Sequence, residues 1–163
     1  MNKSFNIAIA DDNPQSLHSR YADLREMGCN VCILATCGRQ LIDEIQESPC
    51  DLIAVKDELP DMSGTTVALE ATKHRPVPAI LLKLRGVSHN SRATEATNIM
   101  AILEEPVRKA DLVATIPLVI QRFKELEQHR QEVRELANLL DALNGLDNND
   151  DHRRPPHEET KHI

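Results

Sequence analysis

The 163-residue chain has no tryptophan, one tyrosine and two phenylalanines, and its formal net charge is −7. So few aromatics leave no stacking platform for bases, and the acidic balance gives no basic field for phosphates. Direct nucleic-acid binding is therefore not expected. No apolar run approaches the ~18 residues that a membrane span requires, and the start MNKSFNIAIADD has too short an apolar run for a secretory signal. The chain reads as a soluble cytoplasmic protein with no membrane partner. Gly38, Gly64, Gly86 and Gly145 stand alone and form no phosphate-cradling loop after a strand, which argues against a flavin or nucleotide enzyme.

Four cysteines, Cys29, Cys32, Cys37 and Cys50, fall in the first third of the chain. Without a secretory signal they read as reduced thiols rather than a disulfide framework. Cys29-x-x-Cys32 has the spacing of a redox or half-zinc motif, but a zinc site needs two further ligands and CNVCILA reads as an apolar strand. Small buried side chains are the simpler reading.

Short apolar or β-branched runs occur at residues 6–10, 31–35, 51–55, 79–82 and 99–103, each with the length of a fully buried strand. Helix-like periodicity fills 14–27, 40–47 and 65–73, more weakly 89–97, and a long helical pattern begins at Arg108. The alternation predicts an α/β fold: a doubly wound, five-stranded parallel sheet with an extended C-terminal helix. In such sheets the site lies beyond the carboxyl ends of the strands, which singles out Asp11, Asp12, Lys56, Lys83 and Glu105.

From Ile116 a 3-4-3-4 spacing picks out Val119, Phe123, Leu126, Arg130, Val133, Ala137 and Leu140, flanked by Leu136, Leu139 and Leu143. This pattern suits a short coiled coil that dimerises through Val119, Phe123, Leu126, Val133, Leu136 and Leu140, with Lys124, Glu125 and Glu132 helping to choose the partner. An amphipathic helix folded back on its own domain is the alternative. Pro117 is expected to interrupt or kink the helix, because it lacks an N–H and crowds the preceding turn. The organisation expected is a domain over 1–125, a helical extension over 116–144 and a polar, disordered tail over 145–163. His152, His157 and His162 in that tail read as solvated rather than metal-binding, and Arg153–Arg154 is too small for a nucleic-acid patch.

Over residues 4–125 the chain resembles the receiver domain of two-component response regulators, the CheY-like branch of the flavodoxin-like fold. The family's acidic pair after the first strand is matched by Asp11 and Asp12 in IAIADDNP. Its third strand ends in a phosphoacceptor aspartate, followed four residues later by proline and eight residues later by glycine. In DLIAVKDELPDMSG those offsets are met by Pro60 and Gly64, and the acceptor position is Lys56. The hydroxyl that ends the family's fourth strand and the lysine that ends its fifth correspond to Lys83 and Glu105.

An active receiver, as the resemblance implies, holds Mg²⁺ among carboxylates while one of them attacks a phosphoryl group. Lys56 forms no aspartyl phosphate and repels Mg²⁺, and Glu105 repels phosphate. Asp11, Asp12, Lys56, Lys83 and Glu105 sum to −1. The expected arrangement is that the Lys56 ammonium replaces the metal beside Asp11 and Asp12 while Lys83 pairs with Glu105. Asp57 is the alternative phosphoacceptor, but a one-residue shift at a strand end turns its side chain away from the acidic pair. Ile102 stands where receivers commonly carry a switching aromatic, and is expected as a strand core residue.

The junction from NIMAILEEP into the long helix also resembles antitermination regulators of the ANTAR class, although GLDNNDDHRRPPHEET offers no counterpart to their RNA-binding helices. The implied function is a non-enzymatic pseudo-receiver, without cofactor, that works by protein contact. Its partner would be a histidine kinase, another response regulator or an antiterminator, in a homodimer or a mixed coiled-coil dimer. The alternative is a phosphorylatable receiver using Asp57 or Asp12, with Mg²⁺ held by Asp11 and Asp12.

Overall fold

The computed structural model describes residues 4–86 and 98–150, the last three as backbone only. Strands β1 (Asn6–Ala10), β2 (Asn30–Ala35), β3 (Leu52–Lys56), β4 (Ala79–Leu84) and β5 (Ile99–Glu105) form one parallel sheet in the order β2-β1-β3-β4-β5. Helices α1 (Pro14–Glu26), α2 (Gly38–Ile45), α3 (Gly64–Ala71) and α4 (Lys109–Asp150) complete the described elements. This is the doubly wound α/β architecture that the alternating periodicity predicts. The helix expected over 89–97 lies outside the described residues.

Local chemistry accounts for the boundaries. The Asn13 side chain accepts from the backbone N–H groups of Gln15 and Ser16, and Pro14 fills the first helical position, where no N–H partner is needed. Gly28 follows α1 with φ +82°, a conformation open to glycine at no cost. Ser63 caps α3 through Thr66 N–H. Helix α2 has no side-chain cap from its own neighbour Cys37; instead the Asp61 carboxylate accepts from the N–H groups of Gly38 at 2.9 Å and Arg39 at 2.8 Å. These two backbone donors hold the Asp61 carboxyl below its usual range.

The sheet buries both faces. One layer joins Ala8, Ala10, Ile53, Val55 and Leu81 to Leu41 and Ile42 of α2 and Val67 and Ala68 of α3. The other joins Ile7, Ile9, Ala54, Ile80 and Leu82 to Leu24 of α1 and to Leu112, Ile116, Val119 and Ile120 of α4. Asn98 is buried between α3 and β4, its amide donating to the carbonyls of Ala68 and Val77. Ile102 departs from expectation. It lies on the edge strand β5 and is 41% exposed, so it is not a core residue.

The C-terminal helix starts at Lys109, one residue from the expected start, and differs from the sequence reading in two ways: it contains Pro117 without interruption and continues through Gly145 to Asp150. The lost hydrogen bond at Pro117 costs ~3 kcal/mol, which burial of Leu112, Ile116, Val119, Ile120 and Phe123 around it offsets. The segment 145–150 is therefore helical rather than disordered; 151–163 lie outside the described residues. The described residues divide into two compact units, one up to Glu125 and one from Leu126 onward. Within the first, Val119 and Phe123 are 4% and 5% exposed and belong to the domain's own core, so they are not available to a dimer seam. Within the second, Val133, Leu136, Leu140 and Leu143 are each about 60% exposed at 3-4-3 spacing, while Leu126 is partly buried. Among the described residues no helix is long and apolar enough to cross a membrane.

Candidate functional site

The carboxyl ends of β1, β3 and β5 bring Asp11, Asp12, Lys56 and Glu105 together, and α1 adds a residue that the sequence reading missed. Asp11 is buried to 1% exposure. Its Oδ2 accepts from Arg20 Nη1 at 2.8 Å, and its Oδ1 accepts from the Asn13 backbone N–H at 2.9 Å. Arg20 Nη2 reaches on to Glu105 Oε1 at 3.0 Å. One buried guanidinium thus bridges the ends of the first and fifth strands. The fork geometry of arginine suits this, because two of its N–H groups point at two different carboxylates from one fixed plane.

Lys56 ends β3 and donates to Asp12 Oδ1 at 2.8 Å, with side-chain exposures of 19% and 38%. The hydrogen bond to Asp12 raises the Lys56 ammonium above its ordinary pKa against the opposing effect of burial, and the negative charges of Asp12, Asp11 and Glu105 add to the rise. Lys56 therefore stays charged and faces the acidic set.

The expected Lys83–Glu105 pair is not formed. The sheet register sets Lys83 opposite Glu104 and Leu84 opposite Glu105, and Arg20 takes the Glu105 carboxylate. Lys83 makes no ion pair among the described residues. It lines a small cavity of about 30 Å³ with Lys56, Asp57, Glu58, Leu82 and Leu84, enough for a water molecule. Asp57 continues the backbone ladder, donating from its N–H to Leu82 and accepting at its carbonyl from Gly64. Its side chain has no ion pair or hydrogen bond among the described residues. A Cβ on Gly64 would lie 2.5 Å from the Lys56 carbonyl oxygen, so the chain must pass here without a side chain. That close approach fixes the register of the β3–α3 connection.

Arg20 was legible in principle. Leu17, Arg20, Tyr21 and Leu24 share one helix face, and a charged residue on an inward stripe calls for a buried partner. Asp61 carried no comparable signal, because the helix it caps lies more than twenty residues earlier in the chain.

The receiver family implies Mg²⁺ at this place. The donor set does not fit a hard divalent cation: both Asp11 oxygens are engaged, Asp12 is paired, and an ammonium occupies the third carboxylate position. With Arg20 included, the paired set of Asp11, Asp12, Glu105 and Lys56 sums to −1.

Residues 7–117 match the family model of the response regulator receiver domain. The chain is similar to the transcriptional regulatory protein PdtaR of Mycobacterium tuberculosis, 24% identical over 136 residues that cover 83% of this chain and 66% of that protein. It thus spans 66% of the length of the curated relatives it matches. Among solved structures it is similar to a CheY-like receiver domain protein from Methanospirillum hungatei, with 26% identity, a TM-score of 0.68 and coverage of 76% of this chain and 98% of that one. A receiver domain protein from Clostridium thermocellum gives 24% identity and a TM-score of 0.67, covering 75% of this chain and 98% of that one. The sheet order, the acidic ends of its strands and these matches agree that the chain belongs to the response regulator receiver domain family of two-component signalling.

Proposed function

We propose that this receiver signals without phosphorylation at the usual position, as a non-enzymatic pseudo-receiver that regulates a partner by protein contact. The observation that carries the reading is the filled charge set: Lys56 stands at the acceptor position against Asp12, and Arg20 holds Asp11 and Glu105. A phosphoryl group arriving there meets no acceptor carboxylate at the end of β3 and no free metal-binding pair. No cofactor is required. The test is exposure of the full chain to acetyl phosphate with and without Mg²⁺, read by intact mass. An unchanged mass is expected; a Mg²⁺-dependent phosphoryl adduct at Asp57 or Asp12 would replace this reading with a phosphorylatable receiver.

Output is assigned to the exposed seam of Val133, Leu136, Leu140 and Leu143, whose 3-4-3 spacing suits a two-stranded coiled coil. The seam pairs with a second copy or with the helix of a histidine kinase, another response regulator or an antiterminator. Similarity to a transcriptional regulatory protein supports placing the output in control of gene expression. In light scattering, Leu136→Glu with Leu140→Glu should leave a folded monomer; a dimer that survives both changes would overturn the seam.

A further inference from the structure

Cys29 and Cys32, the pair with the CxxC spacing, are not partners: Cys29 packs in the sheet layer beneath α1 and Cys32 in the layer beneath α2. Cys29 precedes β2 and Cys32 lies within it, with the sheet between their two layers. Cys32 meets another thiol instead. The ladder between β1 and β2 runs from Ile7 opposite Val31 to Ala8 opposite Ile33, which makes Cys32 the extra residue of a β-bulge. The bulge sets its sulfur 2.6 Å from Cys50 Sγ, in the turn before β3. A disulfide bond is ~2.05 Å, so little movement separates the two states.

We propose that Cys32 and Cys50 form a redox-modification site that closes to a disulfide on exposure to a peroxide. Cys32 is half-buried while Cys50 is 7% exposed, so Cys32 is the more accessible sulfur. On its other side Cys50 borders a cavity of about 170 Å³ whose walls include His74, Arg75 and Gln46, so small polar molecules reach the resolving side of the pair. The contact with Cys50 lowers the Cys32 thiol, whereas the contact with Cys32 and then burial push Cys50 up. Cys32 is therefore the nucleophile and Cys50 the resolving thiol.

In the first step the Cys32 thiolate attacks one peroxide oxygen, the S–O bond forms, the O–O bond breaks, and the departing hydroxide takes a solvent proton to become water. In the second step the Cys50 sulfur attacks the Cys32 sulfenic acid, the S–S bond forms, the S–O bond breaks, and hydroxide leaves with the Cys50 proton as a second water. Two electrons pass from the thiols to the peroxide, and a dithiol reductant reverses the change. The closed bond would clip β2 to the turn before β3, enclosing α2 in the loop between them.

The test uses the full, reduced chain treated with equimolar hydrogen peroxide, then alkylated and digested. A Cys32–Cys50 cross-linked peptide is expected, two hydrogens lighter, reversed by dithiothreitol and formed before Cys37 is oxidised, since among the described residues only Cys32 and Cys50 hold their sulfurs together. Cys50→Ser should stop the reaction at a Cys32 sulfenic acid that dimedone traps. If Cys37 oxidises first, if Cys29 enters the cross-link, or if Cys32 and Cys50 oxidise without joining, the proposal fails. The wild-type cross-link stands as a readout even where a variant is poorly folded.

Discussion

Replacing Arg20 by Met removes the one cation that serves both Asp11 and Glu105. The three side chains are 7%, 1% and 14% exposed, so the stranded carboxylates gain almost no water in exchange. Breaking a buried pair by removing one partner costs ~3–5 kcal/mol. For a domain of this size the entropy of unfolding is about 0.25 kcal/mol per degree, and the loss corresponds to a Tm lower by ~12–20 °C. Lys56→Met behaves differently, because Asp12 is 38% exposed and turns to solvent; screening limits the loss to ~1 kcal/mol, about 4 °C. Arg39→Met, whose partner Asp43 is a surface residue, is the control and should move Tm by no more than ~2 °C. The assay is thermal unfolding of the full chain followed by circular dichroism. Adding Asp11→Asn to the Arg20→Met variant should recover part of the loss, since it removes the unpaired charge. Equal shifts for Arg20→Met and Arg39→Met would refute the buried-bridge reasoning, and a larger shift for Lys56→Met than for Arg20→Met would move the anchoring role to Lys56.

Two further outcomes follow from the same structure. Asp61→Ala removes the cap of α2 and should cost ~1 kcal/mol in urea unfolding at neutral pH. Because the folded-state pKa of Asp61 is depressed, its contribution is full above the ordinary value of 3.8 and is lost as pH falls through the lower folded value, so wild type and variant should converge in acid; a gap that persists there would point to another cause. Ile116→Ala should cost ~2–5 kcal/mol, while Val133→Ala in dilute protein should stay within ~0.5 kcal/mol, and equal costs would contradict the division of α4 into a core face and an exposed seam.

The fold was legible because every strand is a short apolar run and helix-length periodic segments separate most of them, so that β1 was bounded at its observed residues and the others within one or two. Pairing at the site was less legible. The offsets from Lys56 to Pro60 and Gly64 set the register from sequence, since only glycine tolerates the 2.5 Å approach to the Lys56 carbonyl. The partner of Glu105, however, depends on which neighbour reaches it first, and a helix residue eighty-five positions earlier outcompetes the adjacent strand's Lys83. The helix seam was misread for a related reason: 3-4 spacing describes an apolar face but does not say whether the face is covered by the domain, as at Val119 and Phe123, or left open, as at Val133 and Leu136.

On the proposed reading, the location of control follows from linkage. A ligand moves a conformational equilibrium only by binding one state more tightly than the other, and phosphorylation of a receiver works by changing the charge at the ends of its strands. Here that charge change has no place to occur: Lys56 puts a permanent cation at the end of β3, opposite in sign to the acyl phosphate a receiver would form there, and Arg20 ties α1 to β1 and β5 through two buried carboxylates. Such a pocket offers no acceptor carboxylate at the end of β3, and the ends of β1 and β5 are already tied by Arg20. What the chain can still vary is association through four exposed apolar residues on one helix face, whose occupancy depends on concentration and on the partner's affinity. On that reading, regulation resides in how much of the partner is present and which helix it offers.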